Sequence, residues 1–228
     1  MNNMEDRMSA ACAFVGCVLL GIGTSMHPMQ ADPNNAVAAF AEYAADGNWV
    51  AGHLLQFAGA ALLVAFLLLL ARQLLGSMAV LQPLASGGAT ASLAVAAALQ
   101  GVDGVALKAA VDAWAAAPEA EKAAAFSAAF AVRQIEIGLA SLLSILFGAT
   151  AALYGLLLYG DGRYPTWIGS IAVAGGIGFA AGGVALAYGG FSPTAMNIQM
   201  PASLLVLTWI VAVAAILWRR SGQPPPPQ

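Results

Sequence analysis

The chain has 228 residues, of which 8% are charged and 61% hydrophobic, and its mean hydropathy is +0.80. A water-soluble domain carries about a quarter charged residues, so a soluble fold is excluded and the solvent is lipid. A net charge of -3 leaves no polybasic surface, which excludes nucleic acid as a partner.

Six apolar segments follow one another at residues 8–26, 49–70, 78–99, 137–159, 167–188 and 200–218. Each is long enough to cross roughly 30 Å of hydrocarbon at about 1.5 Å per residue. They are rich in Ala, Leu and Gly and lack the alternation of a membrane barrel, so the expected fold is all-α, a polytopic bundle of six transmembrane helices. A single domain is expected over residues 1–220. Residues 1–7 carry Glu5 and Asp6 against Arg7, and the apolar run continues to Met26, which favours a retained first crossing over a cleaved signal. Cys12 and Cys17 lie within that crossing, and no disulfide is expected.

Between the first two crossings, Pro33 precedes a short helical pattern at 36–43. A second one, at 106–117, follows the third crossing; Pro118 then leads into Glu119 and Glu121, acidic residues suited to the first turn of a new helix. These two short external helices are expected to cap the bundle. Gly160, Asp161 and Gly162 mark a turn ahead of Pro165. In the fifth crossing Ala174, Gly178 and Gly182 are spaced four apart, a pattern that lets helices approach closely within the chain, in a homo-oligomer or against a membrane partner. The tail at 221–228, with four consecutive prolines, is expected to be a disordered cytoplasmic stub.

Cation placement sets the orientation. With the N-terminus inside, Arg7, Arg72, Arg163, Arg219 and Arg220 face the cytoplasm with three carboxylates, net +2, while Lys108, Lys122 and Arg133 face outward with eight carboxylates, net -5. The Lys/Arg bias places both termini in the cytoplasm. Trp49 and Trp114 outside, and Trp167 and Trp218 inside, fall where interfacial aromatic rings settle.

The chemically versatile side chains gather at the outer ends: His27, His53, Gln56, Gln100, Asp103, Lys108, Arg133 and Glu136, with Tyr188, Asn197 and Gln199 nearby. His53 with Gln56, Gln100 with Asp103, and Arg133 with Glu136 are each spaced i, i+3 and share a helix face. Arg133 and Glu136 are placed to form an ion pair, and Asp103 to reach Lys108. Helix ends are polar wherever water begins, so structural roles compete with a binding site. Read as a site, the group offers His53 as acid or base with Asp103 or Glu136 as its orienting partner, and Arg133 as a holder of an anionic head group. His27, His53, Asp103 and Glu136 are of metal-ligand type, but no His-x-x-x-His or His-Glu-x-x-His spacing occurs, and no metal is assigned. No cofactor is expected either.

The stretch Arg133-Gln134-Ile135-Glu136-Ile137-Gly138-Leu139, with Phe147-Gly148, Tyr154-Gly155, Pro165-Thr166-Trp167-Ile168-Gly169 and Gly175-Gly176, resembles a broad group of bacterial six-helix membrane proteins classed as domains of unknown function. Met26-His27-Pro28 and Val102-Asp103-Gly104 belong to the same likeness, which spans nearly the whole chain. It implies six helices in the bacterial inner membrane and lends no catalytic residue. The function expected is the handling of a hydrophobic or amphipathic small molecule at an outer-leaflet polar pocket. A membrane-embedded enzyme using His53 and a structural or assembly subunit are the alternatives.

Overall fold

A computed structural model describes residues 3–222. It contains eight α-helices: α1 (Asn3–Ser25), α2 (Ala36–Ala45), α3 (Trp49–Gln73), α4 (Gln82–Gln100), α5 (Lys108–Ala116), α6 (Glu119–Gly160), α7 (Thr166–Gly189) and α8 (Pro193–Ser221). There is no strand among the described residues. Six helical stretches are long and apolar enough to cross a membrane. α8 runs to Ser221, and the rest of the expected proline-rich stub, from residue 223 on, lies outside the described residues.

The spanning helices close into a ring in chain order, α1 on α3, α3 on α4, α4 on α6, α6 on α7, α7 on α8, and α8 back on α1. One end of the ring, the terminal face, carries the start of α1 and the end of α8; the other is the site face. The half nearer the terminal face is plugged by buried Phe66, Leu67, Tyr154 and Trp209, with the Tyr154 hydroxyl donating to the Leu67 carbonyl at 2.8 Å.

Two outer elements differ from the sequence expectation. The pattern at 106–117 is not a separate capping helix: α4 runs through a π-helical segment, Gly101–Leu107, directly into α5. Likewise the helix opened by Glu119 and Glu121 runs on through the fourth crossing as one rod of 42 residues, about 63 Å at 1.5 Å per residue. That is about twice the hydrocarbon thickness, and α5 packs on α6 as a hairpin at the site-face end. The short helix α2 packs there, giving a second core of Phe40, Tyr43, Trp49, Leu107, Val111 and Ala129. Trp49 is therefore 1% exposed rather than an interfacial anchor, whereas Trp167 and Trp218 are each 51% exposed near the terminal face.

Helix packing rests on glycines seven apart. A Cβ on Gly148 would lie 2.5 Å from the Gly176 carbonyl, and one on Gly155 2.8 Å from that of Gly169. α1 and α3 meet in the same way, Gly23 against the Gly52 carbonyl at 2.5 Å and Gly16 against Gly59 at 3.0 Å. A period of seven keeps one face of each helix on its partner at a shallow crossing angle. Gly178 and Gly182, assigned from sequence to a helix partner within or between chains, pack on Ala202 and Gln199 of α8. That face is thus covered inside the chain.

At the terminal face a polar latch joins two loops. Arg163 donates to the Asp161 carboxylate through Nε at 2.8 Å and Nη2 at 2.5 Å and to the Gln73 carbonyl. Arg220 donates to the Arg163 carbonyl and lies over the Tyr164 ring at 4.5 Å. The hydrogen bonds from Arg163 hold the Asp161 carboxyl below the usual carboxylate range.

Two outcomes follow from this packing. Gly148→Leu forces α6 from α7 and is expected to cost about 1–3 kcal/mol, read as a lower melting temperature in detergent; Gly138→Ala, with nothing within 4 Å of the added carbon, leaves it unchanged. Because the Asp161 pKa is lowered on folding, its contribution is present above the ordinary carboxylate pKa and is lost as pH falls through the folded value. Asp161→Asn should therefore lower the melting temperature at neutral pH and flatten its decline in acid; an unchanged acid limb contradicts the latch.

Candidate functional site

The polar residues of the site face are brought to one depth by helix length. From the terminal-face end of each helix, His53 stands 20 residues back from Gln73, Asp103 lies 21 residues beyond Gln82, and Glu136 stands 24 residues back from Gly160. At about 1.5 Å per residue these are rises of roughly 30–36 Å, the thickness of the hydrocarbon core.

Three devices hold it. The Trp49 indole donates to the Asp103 carbonyl at 2.9 Å, tying the π segment to the start of α3. Gly104 lets that segment approach, since a Cβ there would meet the His53 Cβ at 2.5 Å. The loop after α1 is folded back by Glu42, whose carboxylate accepts from the backbone of Gln30 at 3.0 Å and Ala31 at 2.9 Å.

The His53 ring is 2% exposed. Its Nδ1 stands 2.7 Å from the Trp49 carbonyl, and a carbonyl can only accept, so Nδ1 carries the proton. Nε2 then faces Asp103 Oδ2 at 3.0 Å, near but out of line for a hydrogen bond; Nε2 and Asp103 Oδ1 have no hydrogen-bond partner among the described residues. His27 repeats the arrangement, with Nδ1 3.1 Å from the Pro28 carbonyl. Its ring packs on Trp49 at 4.5 Å and His53 at 5.2 Å, and burial holds its pKa below that of a free imidazole. Burial also pushes the Tyr43 phenol up to about 12, so it stays protonated.

Arg133 and Glu136 form the expected ion pair at 2.5 Å, with the two residues 5% and 2% exposed. The guanidinium is sandwiched between the rings of Tyr43, at 5.5 Å, and Phe191, at 4.8 Å, and reaches the Pro33 carbonyl. Gln56 and Gln100 bond to each other at 3.2 Å. Lys108 departs from expectation. Its ammonium bonds Asp112 at 2.8 Å and the Tyr43 and Ala44 carbonyls, capping the end of α2 instead of reaching Asp103.

These groups surround a cavity of about 540 Å³ lined by His27, Gln56, Gln100, Asp103, Arg133 and Glu136. Asp103 and His27 reach the cavity, with His53 packed behind them. Tyr43, Phe191 and Met196 complete its wall; they lie near the end of α2, in the loop before α8 and at the start of α8, where no spacing relates them to the charged pairs. Within the ring, nearer the terminal face, lies an apolar cavity of about 270 Å³, lined by residues such as Leu20, Leu63, Ala96, Leu143, Phe179 and Val206, at least one from every spanning helix. On each of α1, α3, α4, α6 and α8 its residues lie one to three turns below those of the polar cavity, so the two are stacked along the axis.

A family model described as a domain of unknown function, DUF4386, matches residues 9–218, and the chain belongs to that family. No curated protein and no solved structure matches the chain.

Breaking the buried pair on one side strands a charge. Arg133→Met alone or Glu136→Leu alone is expected to cost about 3–5 kcal/mol, whereas the double variant should lie within about 1–2 kcal/mol of the parent. Thermal unfolding of the four proteins in one detergent checks this; additive losses would show that the two residues do not act as a pair.

Proposed function

We propose that this member of the DUF4386 family binds an amphipathic small molecule, its polar head in the cavity beside Arg133 and Glu136 and its apolar part in the cavity below. The observation that carries this is the stacking of a polar space on an apolar one along the bundle axis. Two such spaces match a molecule with a head and a tail. The lining also refines the head group. Arg133 is already neutralised by Glu136 at 2.5 Å, so the protein groups alone favour a head that both donates and accepts hydrogen bonds over a simple anion.

We place the protein in the bacterial inner membrane with both termini cytoplasmic. The support is the arginine bias of the terminal face, where Arg7, Arg72, Arg163, Arg219 and Arg220 gather. The pocket then opens at the outer leaflet. A second reading, an enzyme acting on the bound amphiphile, is supported by Asp103 and His27 at the cavity wall. In that case Asp103, with His53 packed behind it at 3.0 Å, would be the group that touches substrate, in place of His53 itself.

Mass spectrometry of lipid extracted from detergent-purified protein tests the binding. A defined amphiphile, enriched over the bulk membrane at about one per chain, is the expected result. Ala96→Phe, which fills the apolar cavity, should expel it, and the Arg133→Met/Glu136→Leu double variant should change which head group is retained. A lipid profile equal to that of bulk membrane in all three proteins refutes the proposal.

A further inference from the structure

Two histidines and a carboxylate, spaced from one another by 26 and 50 residues along the chain, meet at the wall of the polar cavity. One ring nitrogen of His27, one of His53 and a carboxylate oxygen of Asp103 all lie within 4.8 Å of one another. Ligands held about 2.0–2.2 Å from a first-row divalent ion stand at most about 4.4 Å apart, so the three atoms need only a small side-chain movement to share one ion.

The hydrogen bonding explains why these atoms face each other. Both histidines spend Nδ1–H on a backbone carbonyl, His53 on Trp49 at 2.7 Å and His27 on Pro28 at 3.1 Å. Metal-ligating histidines are oriented in this way, the second nitrogen bonded to a carbonyl or carboxylate so that the first presents its lone pair. His53 Nε2 then points a lone pair at Asp103 Oδ2 from 3.0 Å. Two acceptors at that distance repel unless a cation joins them, either a proton on Nε2, which makes the contact an imidazolium–carboxylate ion pair, or a metal ion. Neither His53 Nε2 nor Asp103 Oδ1 has a donor among the described residues, although His53 is 2% exposed.

We infer that His27, His53 and Asp103 form a binding site for a divalent first-row transition metal ion at the wall of the polar cavity. Two imidazoles and one carboxylate suit zinc or iron over magnesium or calcium, which prefer all-oxygen shells. Three protein ligands leave the ion open on the cavity side, where His27 and Asp103 are both accessible. Such an open position distinguishes reactive or ligand-holding ions from closed structural ones. The ion would also add positive charge beside the neutralised Arg133–Glu136 pair and so admit an oxygen-rich anionic head group; this last point alone rests on the binding function proposed above.

The test uses the full chain, purified in detergent without a polyhistidine tag, stripped with chelator and titrated with Co²⁺, then with Zn²⁺ in competition. The expected result is one Co²⁺ per chain with the visible bands of a four- or five-coordinate ion, displaced by Zn²⁺. Asp103→Asn and His27→Gln should each weaken binding by more than about 100-fold, beyond the 10–100-fold typical of outer-shell partners. Should the Asp103→Asn variant fail to fold, His27→Gln, on the half-buried loop, decides alone. Ala96→Phe, which fills the apolar cavity and expels the amphiphile, should keep full Co²⁺ affinity, which separates loss of the ion site from loss of amphiphile binding. Absence of stoichiometric uptake, or uptake that His27→Gln leaves intact, overturns the assignment.

Discussion

Hydrocarbon offers no hydrogen-bond partner, and the architecture is arranged around that constraint. Within the spanning region the backbone is helical and hydroxyls bond to backbone carbonyls, of their own helix as Thr150 does to Leu146 and Ser203 to Gln199, or of a neighbour as Ser141 does to Gly183 and Tyr154 to Leu67. Charged side chains are confined to the two ends of the ring. Helices that lack a hydrophobic drive to associate in lipid gain attraction from close contact, which the seven-residue glycine pairs of α1 with α3 and α6 with α7 supply. The closed ring leaves an axial space, which large side chains fill near the terminal face and leave open toward the site face.

The site depends on one departure from that regularity. A wide π turn at Gly101–Leu107 lets α4 continue into α5 while its Asp103 carbonyl turns to the Trp49 indole. π segments inside α-helices are frequent at functional sites. Here the segment passes so close to α3 that only a glycine fits beside His53. Trp49, Gly104 and His53 therefore behave as one unit, and the length of α6 at the site-face end provides the surface on which α2 and the loop after α1 close over it.

Much of the fold is legible in the composition and hydrophobic runs, because six apolar stretches bounded by arginines and turn residues allow few alternatives. The ion pair of Arg133 and Glu136 is legible too, since three residues on one helix is a local relation. What the sequence hides is tertiary. Nothing local distinguishes the pattern at 106–117 as the continuation of α4, because a π turn has no residue signature of its own, and Lys108 is drawn from Asp103 to the end of α2 by a helix far away in sequence. The glycine pattern was visible at a spacing of four, but the contacts between α6 and α7 use seven, which only a partner helix reveals. His27, His53 and Asp103 carry no ligand spacing because they come from a loop, a helix start and a π turn.

The two polar ends are built from the same residue types and differ in what they leave over. At the terminal face, Asp161 accepts from Arg163 and from the backbone of Leu75, and the buried side-chain atoms without partners among the described residues are Gln73 Nε2, Arg220 Nη1 and the Ser9 and Tyr164 hydroxyls, all able to donate. At the site face they are His53 Nε2, Asp103 Oδ1, Gln100 Oε1 and Asp46 Oδ2, three carbonyl or carboxylate oxygens that can only accept and one imidazole nitrogen. Acceptors without donors are costly to bury, and a group of them at one end of a membrane bundle is stabilised by whatever brings positive charge or protons. Arg133, the one cation buried there, is already committed to Glu136 and its two aromatic neighbours. The deficit at the site face is thus of donors and cations, and it lies against the one cavity with both polar walls and an apolar space beneath it among those described here.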